Sequence, residues 1–337
     1  MNTRVSVVLP TLNCEKYIVQ TIESIIGQTF NDFEVIVVNE YGSMDNTKEI
    51  IESYCDSRII IHQNAAKLGL AESLNLGIRI ASGEYIARAD ADDIYSADRL
   101  QRQVDYLDSH PGISVCGTWQ HHFGNIDRVH RPQEKHEDIK ARLLFSCDIC
   151  HSTLMFRKKD FIVNGLWYNP EYDAEDYELW LRAIDVLKFG TIPAVLCEYR
   201  WNGNNITQKK AERIEDEARI LIANNLKNHL GVSLLRRDLV LVSDWANPFI
   251  KAHGLIKIIL LKRELDLLKR IKHANDIVNY YDTNSLKRAL RHRWEWALGH
   301  EDSSGMAWSV QNEVLYIVKL AIKELWYLLR SALSLGK

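Results

Sequence analysis

Strand-like and helix-like segments alternate from residue 5 to residue 87, and this order restricts the possible folds more than any other feature of the sequence. Short apolar runs rich in β-branched residues occur at Val5–Leu9, Phe33–Val38, Ile59–His62 and Glu84–Ala87. The segments between them, Tyr17–Gln28, Thr47–Tyr54 and Leu70–Ala81, place apolar residues at helical spacing. This β-α-β-α-β-α-β order predicts a parallel sheet with helices on both faces.

Polar residues follow three of the predicted strands, in the segments 10–13, 39–43 and 89–93. In open α/β sheets, ligands bind outside the carboxyl ends of the strands. We therefore expect these three segments to line one crevice rather than to form three unrelated turns.

The third segment contains three carboxylates within four positions, Asp90, Asp92 and Asp93. A solvated turn is one interpretation, because Asp side chains cap local backbone amides. A divalent cation site is the other, because hard cations such as Mg²⁺ prefer oxygen ligands. On an extended segment the side chains of Asp90 and Asp92 point the same way. Asp93 either helps to orient them or caps a helix that begins near Ser96.

The chain changes character at about residue 211. Glycine and proline become sparse, helical periodicity prevails, and residues 216–337 carry 19 Lys and Arg against 13 Asp and Glu, whereas the chain as a whole has a net charge of −3. We predict a first domain at 1–210 and a mostly α-helical C-terminal region at 211–337, which associates with a membrane or forms an oligomer. The basic residues here are interleaved with aliphatic ones, so nucleic-acid binding is not expected.

The six cysteines are scattered, as is typical of reduced thiols in a cytosolic protein. The segment 147–151 reads C-x-x-C-H, the pattern of c-type haem attachment, but the N-terminus has no signal-peptide pattern and no second ligand pair for zinc follows. Apolar runs of about 18 residues, which would indicate a transmembrane helix, are also missing from the sequence. These features favour core cysteines in a cytoplasmic protein.

The chain resembles glycosyltransferase family 2, the nucleotide-sugar-dependent enzymes with the GT-A fold. The resemblance covers roughly residues 3–205 and rests on an ordered series of motifs. The matching segments are Val7–Asn13, Ser24–Phe30, Asp32–Val38, Gly42–Thr47, Leu68–Ala71, Asn75, 83–99, His151–Arg157 and Glu175–Arg182. The resemblance implies a Rossmann-like α/β sheet and an inverting sugar transfer from a nucleotide-diphosphate donor.

The resemblance also implies roles for individual residues. Asp90-Ala91-Asp92 is the motif for Mn²⁺ or Mg²⁺ and the sugar nucleotide, with Asp92 as the direct metal ligand and Asp90 on the ribose or sugar. Asp176 is the general base that deprotonates the acceptor hydroxyl. The other residues implied in nucleotide-sugar binding are Pro10, Thr11, Asn13, Glu40, Lys67, Arg88, His151, Glu175 and Arg200.

Several of these residues also have a structural interpretation. Lys67 suits a solvated loop, His151 suits a buried structural position, and a Glu175–Asp176 pair is favoured at a helix N-terminus by the helix dipole. These alternatives stay open at the level of sequence.

The sequence departs from the family pattern around the expected nucleobase. Leu12 replaces an aromatic residue, and Asn39-Glu40-Tyr41-Gly42-Ser43 replaces the usual Asp-Asp-Gly-Ser with one extra residue. Glu40 can accept a hydrogen bond from a uracil imide, and Tyr41 can supply the missing stacking surface, so a UDP-sugar is favoured. The alternative is a catalytically weak nucleotide-sugar-binding or assembly protein. A nucleotidyltransferase is disfavoured, because the first strand is not followed by a glycine-rich basic loop.

Two C-terminal segments, Leu255–Ile271 and 313–335, combine basic residues with wide apolar faces. Such helices suit a membrane interface that contains anionic lipid. The alternative is packing against other helices or against a second subunit. Together with the family's lipid-linked acceptors, the pattern predicts a peripheral enzyme at the inner face of the cytoplasmic membrane, which acts on a lipid-linked saccharide in surface-polysaccharide assembly.

Overall fold

The computed structural model describes residues 3–203, 205–242 and 248–298. They form two compact units. Of these residues, those up to 139 and those between 147 and 217 belong to unit 1, and those between 140 and 146 and from 218 onward belong to unit 2. The segment 140–146 thus belongs to unit 2, and the chain returns to unit 1 at residue 147. The sequence pattern does not predict this exchange of a segment between the units.

The described residues of unit 1 contain a nine-stranded sheet. Its strands are β1 (Val5–Thr11), β2 (Phe33–Asn39), β3 (Ile59–Gln63), β4 (Tyr85–Arg88), β5 (Ile94–Tyr95), β6 (Val115–Gly124), β7 (Arg128–His130), β8 (Met155–Arg157) and β9 (Phe189–Trp201). The spatial order is β3-β2-β1-β4-β8-β6-β9-β5, with β7 paired to β6.

The first four strands are parallel to one another, as the sequence predicts. β8 then runs antiparallel between β4 and β6, and β5 runs antiparallel to β9, while β6 and β9 are parallel. The α/β fold class is confirmed, and the antiparallel pairings of the second half are features that the sequence pattern does not specify.

Helices follow the strands of unit 1. They are α1 (Ile18–Ile26), α2 (Thr47–Glu52), α3 (Gly69–Ile80), α4 (Arg99–Ser109), α5 (His136–Arg142), α6 (Lys158–Val163), α7 (Glu175–Ala183) and α8 (Ile206–Lys209). A short 3₁₀ turn covers His151–Thr153. α1, α2 and α3 agree with the predicted helices within about two residues at each end.

The core of unit 1 lies between the sheet and these helices. Val7, Leu9 and Val35 from the strands and Ile18 and Ile22 from α1 are almost completely buried in one apolar cluster. Burial of such side chains stabilises each by about 1.5–3 kcal/mol. The same packing holds the carboxyl ends of the strands in fixed positions.

The described residues of unit 2 form helices, as predicted for the C-terminal region. They include α10 (Pro248–Lys251), α11 (Gly254–Val278), α12 (Thr283–Leu298) and most of α9 (Ala211–Leu230), with a 3₁₀ turn at Arg236–Leu241. None of the helices in the described part of the chain is long and apolar enough to cross a membrane.

Helices α11 and α12 of unit 2 share a buried polar pair. Arg293 Nε of α12 lies 2.7 Å from Glu264 Oε1 of α11, and both side chains are 0% exposed. Leu261, Leu265 and Leu268 of α11 are buried as well. The packing alternative therefore holds for this face of the predicted amphipathic segment Leu255–Ile271.

Candidate active site

The carboxyl ends of β1, β2 and β3 are joined by a row of side-chain hydrogen bonds. Thr11 lies opposite Asn39, which lies opposite Gln63. Thr11 Oγ1 donates to Asn39 Oδ1 at 2.9 Å, and Asn39 Nδ2 donates to Gln63 Oε1 at 2.8 Å. Thr11 and Asn39 are buried. This row fixes the strand ends in register, and a contact between Thr11 and a nucleotide stays a prediction.

The loops after β1 and β2 are tied together by Asn13. Its backbone adopts a φ of +50°, a left-handed conformation that Asn tolerates better than most residues. Asn13 N donates to Ser43 Oγ at 3.2 Å, and Asn13 Oδ1 accepts from Met44 N at 2.8 Å. Pro10, the penultimate residue of β1, is partly buried. The two predicted nucleobase segments are thus in contact.

Apolar side chains near this junction face solvent. Leu12 is 50% exposed, Tyr41 58% and Met44 90%. Large apolar groups grouped beside a polar crevice are typical of a ligand-binding rim. Tyr41 is therefore accessible for the predicted stacking on a nucleobase.

Glu40 is buried, and its carboxylate binds the chain's own backbone. Its oxygens accept hydrogen bonds from the amides of Tyr41 at 2.7 Å, Leu68 at 3.1 Å and Gly69 at 2.5 Å. Burial acts to raise the pKa of Glu40, but these hydrogen bonds hold it below the usual value. The structure therefore gives Glu40 an anchoring role for the loop before α3. The predicted contact with a uracil imide would require some of these bonds to be given up.

Replacement of Glu40 by Gln is expected to destabilise the protein by about 1–3 kcal/mol, because an amide group would then face backbone N–H donors. The wild-type advantage should be full above the ordinary Glu pKa. It should be lost as the pH falls through the lowered native pKa, where the carboxylate takes up a proton. Urea unfolding at several pH values measures this. Glu72→Gln, on α3, is the control and should change stability by less than about 0.5 kcal/mol.

Lys67 lies in the loop that Glu40 anchors, immediately before Leu68, and it is exposed. This position satisfies the solvated-loop interpretation and also leaves the ammonium group accessible to a ligand.

The three aspartates after β4 occupy three different environments. Asp90 is partly exposed and forms an ion pair with Arg88, the last residue of β4. Burial, and next the charge of Asp90, raise the pKa of Asp92 to about 6. Ala91 lies between them, and its carbonyl oxygen accepts a hydrogen bond from Thr21 Oγ1 at 3.0 Å. The turn is therefore held by α1 while two carboxylates repel each other across it.

Asp93 does not cap a helix. It is 0% exposed and precedes β5, and the next helix, α4, begins only at Arg99. Asp93 Oδ1 accepts from Arg200 N at 3.0 Å, and Oδ2 lies 3.6 Å from Cys197 Sγ. Burial raises the pKa of Asp93 well above its usual value. The capping alternative is therefore wrong, and Asp93 is an internal support that joins the turn to β9.

Arg200 on β9 is bound to the same turn. Its Nε donates to Asp92 O at 2.9 Å, and its Nη2 donates to Gln20 Oε1 at 2.7 Å. The guanidinium carbon also lies 4.6 Å from the Tyr17 ring centroid. Arg200 thus holds the backbone of the Asp92 region and keeps a positive charge beside it.

Arg88 is the central cation of the site. It is 3% exposed, and among the described residues its Nε has no hydrogen-bond partner. Its charge acts on Glu175 and Asp176, whose pKa values it lowers against the opposing effect of burial. One buried guanidinium therefore connects the Asp90 side of the site with the N-terminus of α7.

Glu175 and Asp176 are the first two residues of α7. Glu175 is 9% exposed; burial, and next the charge of Asp176, raise the pKa of Glu175 to about 8. Burial also raises the pKa of Asp176. Burial thus disfavours the ionised form of both carboxyls, and the charge of Asp176 adds to this effect at Glu175. The helix-terminus interpretation is confirmed as a position, and it leaves Asp176 available as a carboxylate.

His151 lies near the same groups. Its Nε2 is 2.8 Å from the Tyr168 hydroxyl, and its ring packs edge-on against Trp180 of α7 at 5.9 Å. Burial, and next the charge of Arg88, lower the pKa of His151 well below its usual value. A neutral imidazole held in this way has a structural role, and a contact with acceptor or phosphate stays a prediction.

The Asp90–Asp92 pair fits a divalent cation. The described residues contain no cluster of three or more His, Cys, Asp or Glu side chains arranged to hold a metal. Mg²⁺ bound with a nucleotide, however, needs only one or two carboxylates, because phosphate oxygens and water complete its shell. Burial, and next the charge of Asp90, disfavour the ionised form of Asp92, and a bound cation would offset both effects.

The structure also reveals residues that the sequence pattern did not identify. Glu217 Oε2 accepts hydrogen bonds from Asp173 N at 2.7 Å and from Ala174 N at 2.9 Å, just before α7. Cys147 Sγ lies 3.8 Å from Asp176 Oδ2. Glu217 and Cys147 are each distant in sequence from the residues that they contact. Of the two, only Cys147 belongs to a sequence motif, the C-x-x-C-H pattern.

The sequence matches the model of Glycosyl transferase family 2 over residues 6–164. It is 32% identical over 241 residues to an uncharacterized glycosyltransferase from Haemophilus influenzae, covering 67% of this chain and 74% of the relative. It is 27% identical over 228 residues to an Escherichia coli protein, covering 67% of this chain and 88% of the relative. That protein is the UDP-Glc:alpha-D-GlcNAc-diphosphoundecaprenol beta-1,3-glucosyltransferase WfaP.

Among solved structures, the fold is similar to that of S. aureus TarS 1–349 in complex with UDP-GlcNAc. The TM-score is 0.58 with 18% identity, and the match covers 88% of this chain and 89% of the other. The fold is therefore the GT-A fold. Together with the sequence matches, it shows that this chain belongs to glycosyltransferase family 2.

Proposed function

We propose that this glycosyltransferase moves a sugar, with inversion, from a UDP-sugar to a hydroxyl of a saccharide acceptor. Asp176 is the general base, and Asp90 and Asp92 are the residues that hold a divalent cation with the donor. In this proposal residues 1–210 carry out the transfer, and residues 211–337 bring the enzyme to its acceptor.

One observation carries the proposal. Arg88 forms an ion pair with Asp90 and acts electrostatically on Glu175 and Asp176. A donor-side carboxylate pair and an acceptor-side carboxylate are thus grouped around a single buried guanidinium. A protein that only binds a nucleotide sugar needs the donor-side carboxylate pair alone, because a general base has no function in binding.

In the proposed reaction the acceptor oxygen forms a bond to the anomeric carbon while the bond from that carbon to the diphosphate oxygen breaks. The hydroxyl proton passes to Asp176, and the nucleoside diphosphate leaves with the bond's electron pair. The bound cation would supply charge neutralisation for the departing diphosphate. The positive charge of Arg88 favours the ionised form of Asp176, which burial disfavours.

The preference for UDP rests on the nucleobase end of the crevice and on the relatives. Tyr41 offers an exposed ring beside the linked loops of β1 and β2. WfaP is named for a UDP-Glc donor, and TarS was solved with UDP-GlcNAc. Aromatic stacking on a base contributes about 1–3 kcal/mol and tolerates different bases.

Nucleotide release from a panel of UDP-, GDP-, ADP- and dTDP-sugars, with Mn²⁺ or Mg²⁺, tests the proposal. Turnover of a UDP-sugar supports it, and NMR of the product should show an inverted anomeric configuration. Release from another nucleotide sugar would contradict the UDP assignment, and a retained configuration would contradict the single displacement.

The second candidate is a catalytically weak nucleotide-sugar-binding or assembly protein. Two observations favour it. The Glu40 carboxylate already accepts hydrogen bonds from backbone amides, and Leu12 takes the place of an aromatic residue. In that case calorimetry would detect UDP binding while no sugar of the panel is turned over.

We also propose that unit 2 contacts an anionic lipid surface, so that the acceptor is a lipid-linked saccharide like the one in the name of WfaP. Leu255, Ile256 and Ile259 of α11 are 64%, 65% and 48% exposed. Basic residues lie on the same helix, with Lys262 exposed and Lys257 partly so. Basic groups beside exposed apolar ones suit a membrane interface. The second predicted segment, 313–335, lies outside the described residues.

The double variant Leu255→Glu/Ile256→Glu is expected to reduce co-sedimentation with vesicles containing phosphatidylglycerol by at least tenfold, because it removes apolar contacts and adds negative charge. Wild-type binding should also weaken as salt rises. Ile277→Glu, at an exposed position near the other end of α11, is the control. Equal sedimentation of the double variant and wild type would contradict the lipid contact, and a change in oligomeric state instead would indicate a subunit interface.

A further inference from the structure

The C-x-x-C-H segment forms part of the wall around the proposed base. Its first residue, Cys147, is partly exposed and places Sγ 3.8 Å from Asp176 Oδ2, within the range of a thiol hydrogen bond. Its last residue, His151, packs on Trp180 of the same helix α7. The segment therefore contacts α7 at two points one turn apart.

The Cys147 thiol gives Asp176 a hydrogen bond that its backbone contact does not replace. Oδ1 lies 2.6 Å from Tyr177 N, its neighbour in the first turn of α7. Among the described residues, Cys147 is the side chain that donates a hydrogen bond to Asp176. Without this hydrogen bond, fewer contacts hold the Asp176 carboxylate in a single rotamer.

A base needs both a fixed orientation and sufficient affinity for a proton. A strong donor such as Arg or Ser would orient the carboxylate but would also stabilise its ionised form and weaken it as a base. A thiol is a weak donor. It supplies orientation at a small loss of basicity.

We propose that Cys147 is a positioning residue for the transfer reaction, whose thiol holds the Asp176 carboxylate in the orientation that meets the acceptor hydroxyl. This inference rests on the proposed function, because it takes Asp176 to be the base. It also gives the C-x-x-C-H segment a function that involves neither haem nor zinc.

The surroundings of Asp176 support a coupling between the two side chains. The charged and titratable groups around it are Glu175 on its own helix, Arg88 from β4, Tyr168 from the loop before α7, and Cys147; Asp90 acts on Glu175. Burial, and next the charge of Asp176, raise the pKa of Cys147 well above its usual value. The thiol thus keeps its proton and can donate it.

Thiol labelling tests the contact without any turnover. N-ethylmaleimide modification of Cys147 is followed by peptide mass spectrometry, with the exposed Cys55 as internal reference. Asp176→Asn should speed the labelling of Cys147 about tenfold relative to Cys55, because a nearby carboxylate no longer disfavours the thiolate. Glu178→Gln, which removes another α7 carboxylate, should leave the ratio unchanged. An unchanged ratio in Asp176→Asn would overturn the contact.

Kinetics test the function of the contact, using UDP release from the panel sugar that wild type turns over. Cys147→Ala should lower kcat about tenfold, leave UDP affinity unchanged, and shift the acid limb of the pH profile upward, since a donor to the carboxylate is lost. Cys147→Ser should retain most activity and shift the acid limb downward. Cys147→Ala behaving like wild type in both kcat and pH profile would overturn the positioning role. If no panel sugar is turned over, the proposed function fails, while the labelling result still decides whether the two side chains are coupled.

Discussion

Asp176→Asn is expected to lower sugar transfer by about 10²–10⁴-fold, the usual contribution of a positioned general base. The amide occupies the same volume at the N-terminus of α7 but cannot accept the acceptor proton. Donor affinity, measured by calorimetry with UDP and Mn²⁺, should stay within about twofold of wild type, because in the proposed reaction Asp176 acts on the acceptor and the Asp90–Asp92 pair holds the donor. An equal loss of donor affinity would instead make Asp176 a substrate-holding residue.

Two variants on the same helix separate chemistry from helix stability. Glu178→Gln removes a first-turn carboxylate that pairs with Arg182 at 2.7 Å, and should change transfer by less than about twofold. Glu175→Gln mimics the protonated acid that a pKa of about 8 predicts, and should retain at least a tenth of the activity at pH 7. A loss in Glu175→Gln as large as in Asp176→Asn would place the base function on Glu175.

The pH dependence follows from the same pair. Burial raises the pKa of Asp176, so transfer should fall on the acid side at a pH above the ordinary Asp value of about 3.8. Activity requires the ionised form and is therefore lost as the pH falls through that pKa. The acid limb should be absent from the residual activity of Asp176→Asn.

The first half of the sheet could be predicted from sequence because β1, β2 and β4 are buried on both faces and the crossover helices α1 and α3 are amphipathic. Val7 and Val35 belong to runs whose apolar character leaves little choice of secondary structure. The polar segments after β1, β2 and β4 could likewise be expected to meet, because parallel strands bring their carboxyl ends to one edge. This reasoning predicts Asn13 and Asp90 as site residues.

Other features depend on contacts between residues far apart in sequence. The backbone amides of Leu68 and Gly69 donate hydrogen bonds to the Glu40 carboxylate. These bonds depend on the geometry of the loop, which no local sequence pattern specifies. The same holds for Asp93, whose burial against β9 replaced an expected helix cap. The C-x-x-C-H pattern that contains Cys147 favours core cysteines, and only the fold places its thiol beside Asp176.

Asp92→Asn is expected to abolish detectable transfer and to remove the gain in UDP affinity that Mn²⁺ provides in wild type. A hard cation binds an amide oxygen much more weakly than a carboxylate, and Asp90 alone is already engaged by Arg88. EDTA should inactivate the wild-type enzyme to the same extent, with recovery on adding Mn²⁺. Transfer at the wild-type rate by this variant, or activity that survives EDTA, would contradict a metal site at Asp90-Ala91-Asp92.

The same substitution should have the opposite effect on the stability of the metal-free protein, and this separates loss of function from loss of fold. The pKa of Asp92 is raised to about 6 by burial and by the charge of Asp90, so its ionised form destabilises the native state. Above pH 6 the neutral amide relieves that repulsion, and Asp92→Asn should melt at a higher temperature than wild type in EDTA. Near pH 5, where Asp92 is largely protonated in the native state, the difference should shrink. Added Mn²⁺ with UDP should then raise the melting temperature of wild type only. The two carboxylates that repel each other in the metal-free protein both attract the cation, and the variant has lost one of them.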